Sequence, residues 1–333
     1  MAKKQFDLPT DPAIKGDETD NVIERVTDET LPPPVDEISI KPDDEIIDDI
    51  PGTDTTVHGL NDIEARDPNS IVVTIADQNV PIIVLFGPTE CGKTMTLIRL
   101  TRFLQQYGFR VSPIKSFRPA QDKHYAKMCA EYNELVHSSN AAEGTQMISF
   151  MLVEVLTQQG KRICQILEAP GEYYFNPKKP QQPFPAYVNT IISSKNRKIW
   201  VYMVEPDWQD LPDRSAYVSR LQQLKTMMKP QDQAVFLYNK VDKSNFIISP
   251  GVVNMAGVKN DIANMYPGIF TPFTNQNPIT KWFKPYNCDL IPFSNGFFVE
   301  ATDNKGQTYL TYQQGPDEYP QMLWKVLMKK IRG

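Results

Sequence analysis

The stretch that most constrains the fold runs from Gly87 to Thr94 and reads Gly-Pro-Thr-Glu-Cys-Gly-Lys-Thr. It fits the pattern G-x-x-x-x-G-K-[ST], whose glycines let the backbone curl so that successive N–H groups converge on phosphate oxygens. Residues 81–86 before it form an apolar run typical of a buried strand, and residues 95–107 after it have helical spacing. The sequence therefore predicts a strand, a phosphate-binding loop and a helix whose positive end faces the phosphate.

Residue types within this loop predict separate roles. The Lys93 ammonium would reach the β- and γ-phosphates of a nucleotide, and the Thr94 hydroxyl would ligate Mg²⁺. The remaining members, which would form the backbone cradle, are Gly87, Pro88, Thr89, Glu90, Cys91 and Gly92. We interpret Cys91 simply as a small residue that fits this position.

Charge divides the chain into two parts. Residues 1–56 hold 16 acidic and 5 basic residues, a net charge of −11, so the remainder carries +6 within an overall −5. This proline-rich segment has one aromatic residue and buries too little apolar surface to offset its ordering entropy. We interpret residues 1–56 as a disordered acidic tail, either solubilising or able to dock on a partner, and residues 70–333 as the folded domain.

Cysteine spacing and hydropathy bear on the compartment. Four cysteines without C-x-x-C spacing and three histidines predict reduced thiols and no metal cluster. The chain has no run of 18 apolar residues and no apolar signal core. We therefore expect a cytoplasmic protein without a membrane segment, and the charge pattern gives no direct indication of nucleic-acid binding.

Strands and helices alternate along the rest of the chain. Predicted strands cover 70–75, 81–86, 109–114, 147–156, 163–167, 199–204, 234–238 and 289–293, with a hairpin at 297–302 and 308–312. Predicted helices cover 95–107, 121–137, 186–194, 216–228, 256–265 and 319–331. The turn between 147–156 and 163–167 is so short that these strands must be antiparallel. The pattern predicts the three-layer α/β/α sandwich of a P-loop nucleoside triphosphatase, mostly parallel with one antiparallel strand pair.

Further motifs make the chain resemble the P-loop GTPases. Asn239-Lys240-Val241-Asp242 follows a predicted strand and matches the N-K-x-D motif of that family. The resemblance implies that the Asp242 carboxylate accepts from the guanine N1–H and exocyclic amine, a donor pair that adenine lacks. It also implies that Lys240 lies along the base and that Asn239 braces the phosphate loop. Ser294 stands where the family has its last base-contacting loop.

Glu168-Ala169-Pro170-Gly171 is similar to the family's D-x-x-G motif. In that motif the acid helps to hold Mg²⁺ through water and the glycine N–H contacts the γ-phosphate, although Glu168 replaces the usual Asp here. Thr145 stands where the family places the threonine that closes on Mg²⁺ and the γ-phosphate. The antiparallel pair favours the translation-factor-related branch, which includes Ras-like proteins, and we expect a bacterial member. A parallel second strand at 108–114, as in the signal-recognition-particle and MinD-like branch, is the alternative.

The resemblance implies a regulatory switch that hydrolyses GTP to GDP with Mg²⁺. Ras-like enzymes place a glutamine directly after the D-x-x-G glycine to orient the attacking water, whereas this chain has Glu172. We expect slow hydrolysis that a protein partner accelerates, with a protein effector downstream. Glu90 in the phosphate loop leaves a K⁺-assisted mechanism open. A scaffold that binds GTP with little hydrolysis is the alternative, and the N-K-x-D tetrad disfavours a third reading, an ATPase.

Overall fold

The computed structural model describes residues 60–138, 150–174, 181–208, 211–302 and 308–333, together with Lys179. The predicted acidic tail, residues 1–56, and Thr145 lie outside these ranges. The strands are β1 Ile82–Phe86, β2 Arg110–Pro113, β3 Met151–Leu156, β4 Arg162–Glu168, β5 Lys198–Val204, β6 Gln233–Tyr238, β7 Ile247–Ser249, β8 Val252–Val253, β9 Cys288–Pro292, β10 Phe297–Thr302 and β11 Thr308–Gln313. The helices are α1 Asp62–Arg66, α2 Lys93–Gln106, α3 Lys123–His137, α4 Gly171–Tyr174, α5 Ala186–Ser193, α6 Leu211–Met227, α7 Met255–Met265 and α8 Glu318–Arg332.

Seven strands form the main sheet in the order β2-β3-β4-β1-β5-β6-β9. Strands β4, β1, β5, β6 and β9 are parallel to one another. Strand β3 is antiparallel to both β2 and β4, so the main sheet has two antiparallel pairings where the sequence predicted one. The predicted α/β class is confirmed: a mostly parallel sheet with flanking helices.

The edge of the sheet distinguishes the two strand arrangements considered from the sequence. Residues 108–114 contribute β2, which lies at the edge and pairs antiparallel with β3 alone. It is therefore not the parallel second strand of the alternative. The antiparallel arrangement of β3 and β4 is the one that the translation-factor-related branch implies.

The centre of the sheet is apolar on both faces. Every residue of β1 and of β5 is buried, as expected for parallel strands that helices cover on both sides. The Phe86 ring at the end of β1 contacts aromatic rings from four other segments, including Tyr174 at 4.8 Å and Tyr202 at 5.7 Å between ring centroids. These ring contacts surround the residue that directly precedes the loop after β1.

The prediction of a strand at residues 70–75 is wrong. Ile71, Val73 and Ile75 are buried while the residues between them are exposed, so the side chains alternate as they would in a strand. The segment pairs with no strand among the described residues, and its backbone bonds instead include Thr74 N–H to the Phe117 carbonyl at 2.8 Å. Side chains can be buried alternately by packing alone, without the backbone hydrogen bonds of a β-sheet.

Helix α6 begins five residues before its predicted start. Pro212 lies in the first turn, where its missing N–H leaves no helical hydrogen bond unmade, so the proline does not end the helix. The C-terminal hairpin and helix are confirmed as β10, β11 and α8. Among the described residues, no helix is both long and apolar enough to cross a membrane.

Candidate functional site

The loop between β1 and α2 curls because two of its residues adopt the left-handed conformation. Gly92, at the N-terminus of α2, has φ +86°, and Glu90 has φ +62°. A Cβ atom on Gly92 would lie 2.4 Å from Asn239 Nδ2, so this position requires glycine for space as well as for conformation. A Cβ on Gly87 would lie 2.5 Å from Cys91 Sγ. Both glycines of the motif therefore allow a close approach that a larger residue would prevent.

Lys93 opens α2 and turns its side chain back over the loop. Its ammonium donates to the Pro88 carbonyl at 2.7 Å and to the Gly87 carbonyl at 3.2 Å. Only 5% of the residue is exposed. The positive charge is thus held over the backbone of the loop.

Thr94 and Glu168 meet at the ends of α2 and β4. The Thr94 hydroxyl donates to Glu168 Oε1 at 3.1 Å, and Glu168 Oε2 accepts from the Phe150 N–H at 2.7 Å. Glu168 is buried. Glutamate therefore reaches Thr94 from this strand end, and the pair presents a hydroxyl and a carboxylate, the hard oxygen ligands that Mg²⁺ prefers.

Gly171 packs directly on the phosphate loop. A Cβ atom there would lie 2.3 Å from both the Pro88 carbonyl carbon and the Thr89 nitrogen. Gly171 begins the short helix α4, whose last residue, Tyr174, is held through its carbonyl by Arg220 Nε at 2.8 Å. Both ends of α4 are therefore held, Gly171 by packing on the phosphate loop and Tyr174 by its bond to Arg220. The side chain of Glu172 lies outside the described part of the structure.

A chain of amide groups joins the loop to the far strands of the sheet. Asn239 Nδ2 donates to the Cys91 carbonyl at 2.7 Å, and Asn295 Nδ2 donates to Asn239 Oδ1 at 3.1 Å. The Thr96 hydroxyl lies 3.2 Å from Asn295 Oδ1 and donates to the Gly92 carbonyl at 2.8 Å. The bracing contact expected of Asn239 is present in this geometry. Asn295 was not singled out from the sequence, although its place at a strand end, beside Ser294, was a signal.

Cys91 lies within this braced loop. The residue is fully buried, and burial raises the pKa of its thiol to about 11. The thiol is therefore protonated at neutral pH and is not a reactive nucleophile, consistent with the interpretation of Cys91 as a small residue that fits the loop.

The residues after β6 place two charged groups near the same edge. Lys240 has φ +53°, and its ammonium pairs with Glu205 Oε2 at 2.6 Å. Burial raises the pKa of Glu205 although the lysine opposes this. Asp242 Oδ1 is buried and has no hydrogen-bond partner in the part of the chain that the structure describes. Ser294, at the end of β9, is buried, and its hydroxyl oxygen lies 3.4 Å from the Gly296 N–H.

These placements decide the fold. A phosphate loop joins the central strand to its helix, an antiparallel strand precedes the acid at the end of β4, and the N-K-x-D tetrad after β6 holds the loop by an asparagine. The chain has a P-loop GTPase fold.

Solved structures of other proteins are similar to this chain at low sequence identity. No protein-family model and no curated protein matches the sequence. The chain is similar to nucleolar GTP-binding protein 1 from Plasmodium falciparum, with 12% identity and a TM-score of 0.37 over 78% of this chain and 92% of that one. It is also similar to the signal recognition particle receptor SRβ–GTP/SRX complex from Chaetomium thermophilum, with 12% identity and a TM-score of 0.36 over 75% and 98% of the two chains.

A third similar structure is the bacterial selenocysteine-specific elongation factor EF-Sec, with 12% identity and a TM-score of 0.34 over 76% of this chain. The chain spans 29% of EF-Sec and 56% of a variant of SsGBP, which is less than two thirds of either. Because these TM-scores are low, the assignment of the P-loop GTPase fold rests on the sheet and the loop contacts.

Proposed function

We propose that the chain binds guanine nucleotides with Mg²⁺ at the Gly87–Thr94 loop and hydrolyses GTP to GDP as a regulatory switch. The observation that carries the choice of base is Asp242 Oδ1, which is buried without a partner among the described residues. A buried carboxylate oxygen that accepts no hydrogen bond is costly, because it has lost water and gained nothing. The guanine N1–H and exocyclic amine would supply the donors that this oxygen lacks.

The phosphate end of the proposed site uses the contacts around Lys93, Thr94 and Glu168. The Lys93 ammonium already lies over the loop carbonyls and would move onto the β- and γ-phosphates. The Thr94 hydroxyl and the Glu168 carboxylate would hold Mg²⁺, Glu168 through water. A bound Mg²⁺ would supply positive charge that offsets the charge of the phosphates.

A switch needs a segment whose position depends on the third phosphate, and Gly171 is our candidate. Its backbone is packed against Pro88 and Thr89, so the group proposed to contact a γ-phosphate rests on the loop itself. Binding GTP would then move this segment away from the loop, whereas GDP would not require that movement. The two nucleotides would therefore favour different positions of the segment, which is what a partner reads. Thr145 and Glu172 remain the proposed switch threonine and water-positioning residue.

One observation favours the second candidate, a scaffold that binds GTP with little hydrolysis. Both oxygens of Glu168 are engaged, one by Thr94 and one by the Phe150 N–H. If these contacts persist with nucleotide bound, Glu168 holds Mg²⁺ less freely than the family's aspartate would. A cytoplasmic location, an activating partner and a K⁺-assisted mechanism through Glu90 belong to the first proposal, the GTPase switch.

The choice of base is tested by Asp242→Asn. The amide would confront the guanine N1–H with a donor, which should cost on the order of 2–4 kcal/mol, or roughly thirty- to a thousand-fold in affinity for GTP. Xanthine has a carbonyl in place of the guanine amine, so the variant should bind xanthosine triphosphate better than the wild type does. Titration of both proteins with GTP, ATP and xanthosine triphosphate measures this. A wild type that prefers ATP would refute the proposal.

Hydrolysis is tested by phosphate release from the purified protein. We expect slow turnover with Mg²⁺ and none in Lys93→Ala, which should lose tight binding, while Thr94→Ala should weaken binding mainly when Mg²⁺ is present. Glu172→Gln should raise turnover if the carboxylate only repels the γ-phosphate, and lower it if Glu172 handles water. Tight GTP binding by the wild type without any phosphate release would select the scaffold.

A further inference from the structure

The loop between α7 and β9 displays the most exposed aromatic side chains among the described residues. Trp282 is 88% exposed, Phe283 91% and Ile279 76%. They surround a short 3-10 turn, Thr280–Trp282, and their spacing of three and four residues places them close together on it. Large apolar side chains grouped in this way on a surface mark an interaction site rather than ordinary scattered exposure. We refer to Ile279, Trp282 and Phe283 as the apolar tip.

The apolar tip is carried by a loop with a defined shape. Asn275 is 6% exposed, and its Nδ2 donates to the Thr280 hydroxyl oxygen at 2.8 Å and to the Lys284 carbonyl at 2.9 Å. Asn277 Oδ1 accepts from the Ile279 N–H at 2.9 Å and from the Thr280 N–H at 3.1 Å. Two asparagine side chains thus hold the turn that presents the aromatic residues, so their exposure is built into the loop.

Backbone hydrogen bonding within the loop satisfies most N–H groups of the tip, and the Trp282 backbone N–H is the exception among the described hydrogen bonds. The loop's own oxygen atoms accept from the N–H groups of Ile279, Thr280, Lys281, Phe283 and Lys284. A lipid bilayer offers few acceptors below its headgroups, so a segment that enters it must satisfy its N–H groups internally. A protein partner could supply acceptors and would not require this arrangement.

The charges within residues 262–288, the loop that carries the tip, have one sign. Lys281 and Lys284 flank Trp282 and Phe283, and residues 262–288 contain no Asp or Glu. The Lys259 ammonium lies 5.0 Å from the centroid of the Tyr286 ring at the base of the same loop. Lysines close to a membrane are attracted by anionic headgroups, and tryptophan favours the interface between headgroups and acyl chains.

We propose that the apolar tip inserts into the headgroup region of an anionic membrane, with Lys281 and Lys284 at the lipid phosphates. The lysine stems can lie along the apolar boundary while their ammonium groups stay in water. A single tip of this size gives reversible attachment at the surface. The proposal is independent of the nucleotide chemistry, because no residue of the tip belongs to the candidate site.

The first test is sedimentation of the full chain with vesicles of phosphatidylcholine alone or with added phosphatidylserine. We expect the wild type to bind the anionic vesicles and to bind the neutral ones weakly. Trp282→Ala/Phe283→Ala should lower the partition coefficient by at least about tenfold, because two large apolar side chains are removed. Lys281→Gln/Lys284→Gln should lower it by roughly tenfold or more on anionic vesicles only.

Ile63→Ala/Ile248→Ala is the matched control, since each of these isoleucines is 71% exposed and lies outside the loop. This variant should bind like the wild type, and thermal unfolding should show that every variant is folded. The proposal is overturned if the wild type does not sediment with anionic vesicles, or if the alanine double variant of the tip sediments equally well. In either case a protein partner takes the place of the membrane.

Tryptophan fluorescence gives a second readout that locates the contact. Trp200 and Trp324 are buried, whereas Trp282 is exposed to water, so insertion should shift the emission of Trp282 to shorter wavelength. Trp282→Phe should keep most of the vesicle binding and lose this shift. A shift of equal size in Trp282→Phe would place the contact elsewhere on the protein and overturn the proposal.

Discussion

At the scale of single residues, Asn239 links the phosphate loop to the end of β9. Its buried amide contacts the Cys91 carbonyl and the Asn295 side chain. Asn239→Ala would leave that carbonyl without its donor, which should cost about 1–3 kcal/mol of stability and lower nucleotide affinity by about tenfold or more, because the loop loses its brace. Thermal unfolding and nucleotide titration measure the two effects.

Asn196→Ala is the control for this prediction, because Asn196 is equally buried and its Nδ2 donates to the Asp77 and Val80 carbonyls away from the loop. It should lose similar stability and keep its nucleotide affinity. A double-mutant cycle of Asn239→Ala with Asn295→Ala should show a coupling of about 0.5–3 kcal/mol. Additive effects would contradict a shared network.

The residues at the site differ in how far the sequence predicts them. Lys93 and Asn239 were predicted because each sits in a motif whose spacing is fixed by the loop or by one strand end. Asn295 and Glu205 were missed because their partners lie far away in sequence, 56 and 35 positions from Asn239 and Lys240, respectively. Only the order of strands in the sheet brings those strand ends together.

At the scale of elements, two lysine side chains donate to one carbonyl that lies between α5 and β5. Lys198 Nζ donates to the Ser194 carbonyl at 2.6 Å, and Lys229 Nζ donates to it at 2.6 Å as well. Burial lowers the pKa of Lys198 to about 8, and the neighbouring Lys229 acts in the same direction. The nearby Asp232 carboxylate raises the pKa of Lys198 but only partly offsets the burial.

This pKa predicts a pH dependence of stability. Between about pH 8 and pH 10.5 the unfolded chain binds a proton at Lys198 that the folded chain has released, so the free energy of unfolding rises with pH in that window. Lys198→Met should remove this contribution. Urea unfolding from pH 7.5 to 10 should therefore show the wild type gaining stability relative to the variant, and a constant difference would contradict the pKa.

Element boundaries and pairings were predictable to different degrees. Short apolar runs bounded by turns identified β1, β4, β5, β6 and β9. The β-branched run at residues 70–75 misled, since alternate burial shows which side chains face the core and not whether the backbone pairs. The order of strands and the position of β2 at the edge depend on long-range packing that no local pattern contains.

At the scale of the whole molecule, the C-terminal segment is tied to the helix that follows the phosphate loop. Arg99 of α2 is fully buried, and its Nη2 donates to the Gly315 carbonyl at 2.7 Å and to Asp317 Oδ1 at 2.8 Å. Asp317 directly precedes α8. The first and last helices of the region 93–333 are therefore coupled through one guanidinium group, and loosening α8 would disturb the helix that begins at Lys93.

This coupling predicts an order of effects. Asp317→Asn leaves a buried charge with a weaker partner and should cost about 1–3 kcal/mol, whereas Arg99→Met removes the charge, replaces it with an apolar chain of similar length and should cost less. Lys243→Met is the control, because Lys243 pairs with Asp207 at 2.6 Å but its side chain is 55% exposed, and such pairs contribute less than about 1 kcal/mol. Urea unfolding of the three variants ranks them. If Arg99→Met proves the most destabilising, the guanidinium contributes through packing and through the Gly315 carbonyl, and the ion pair with Asp317 is not what holds α8 to α2.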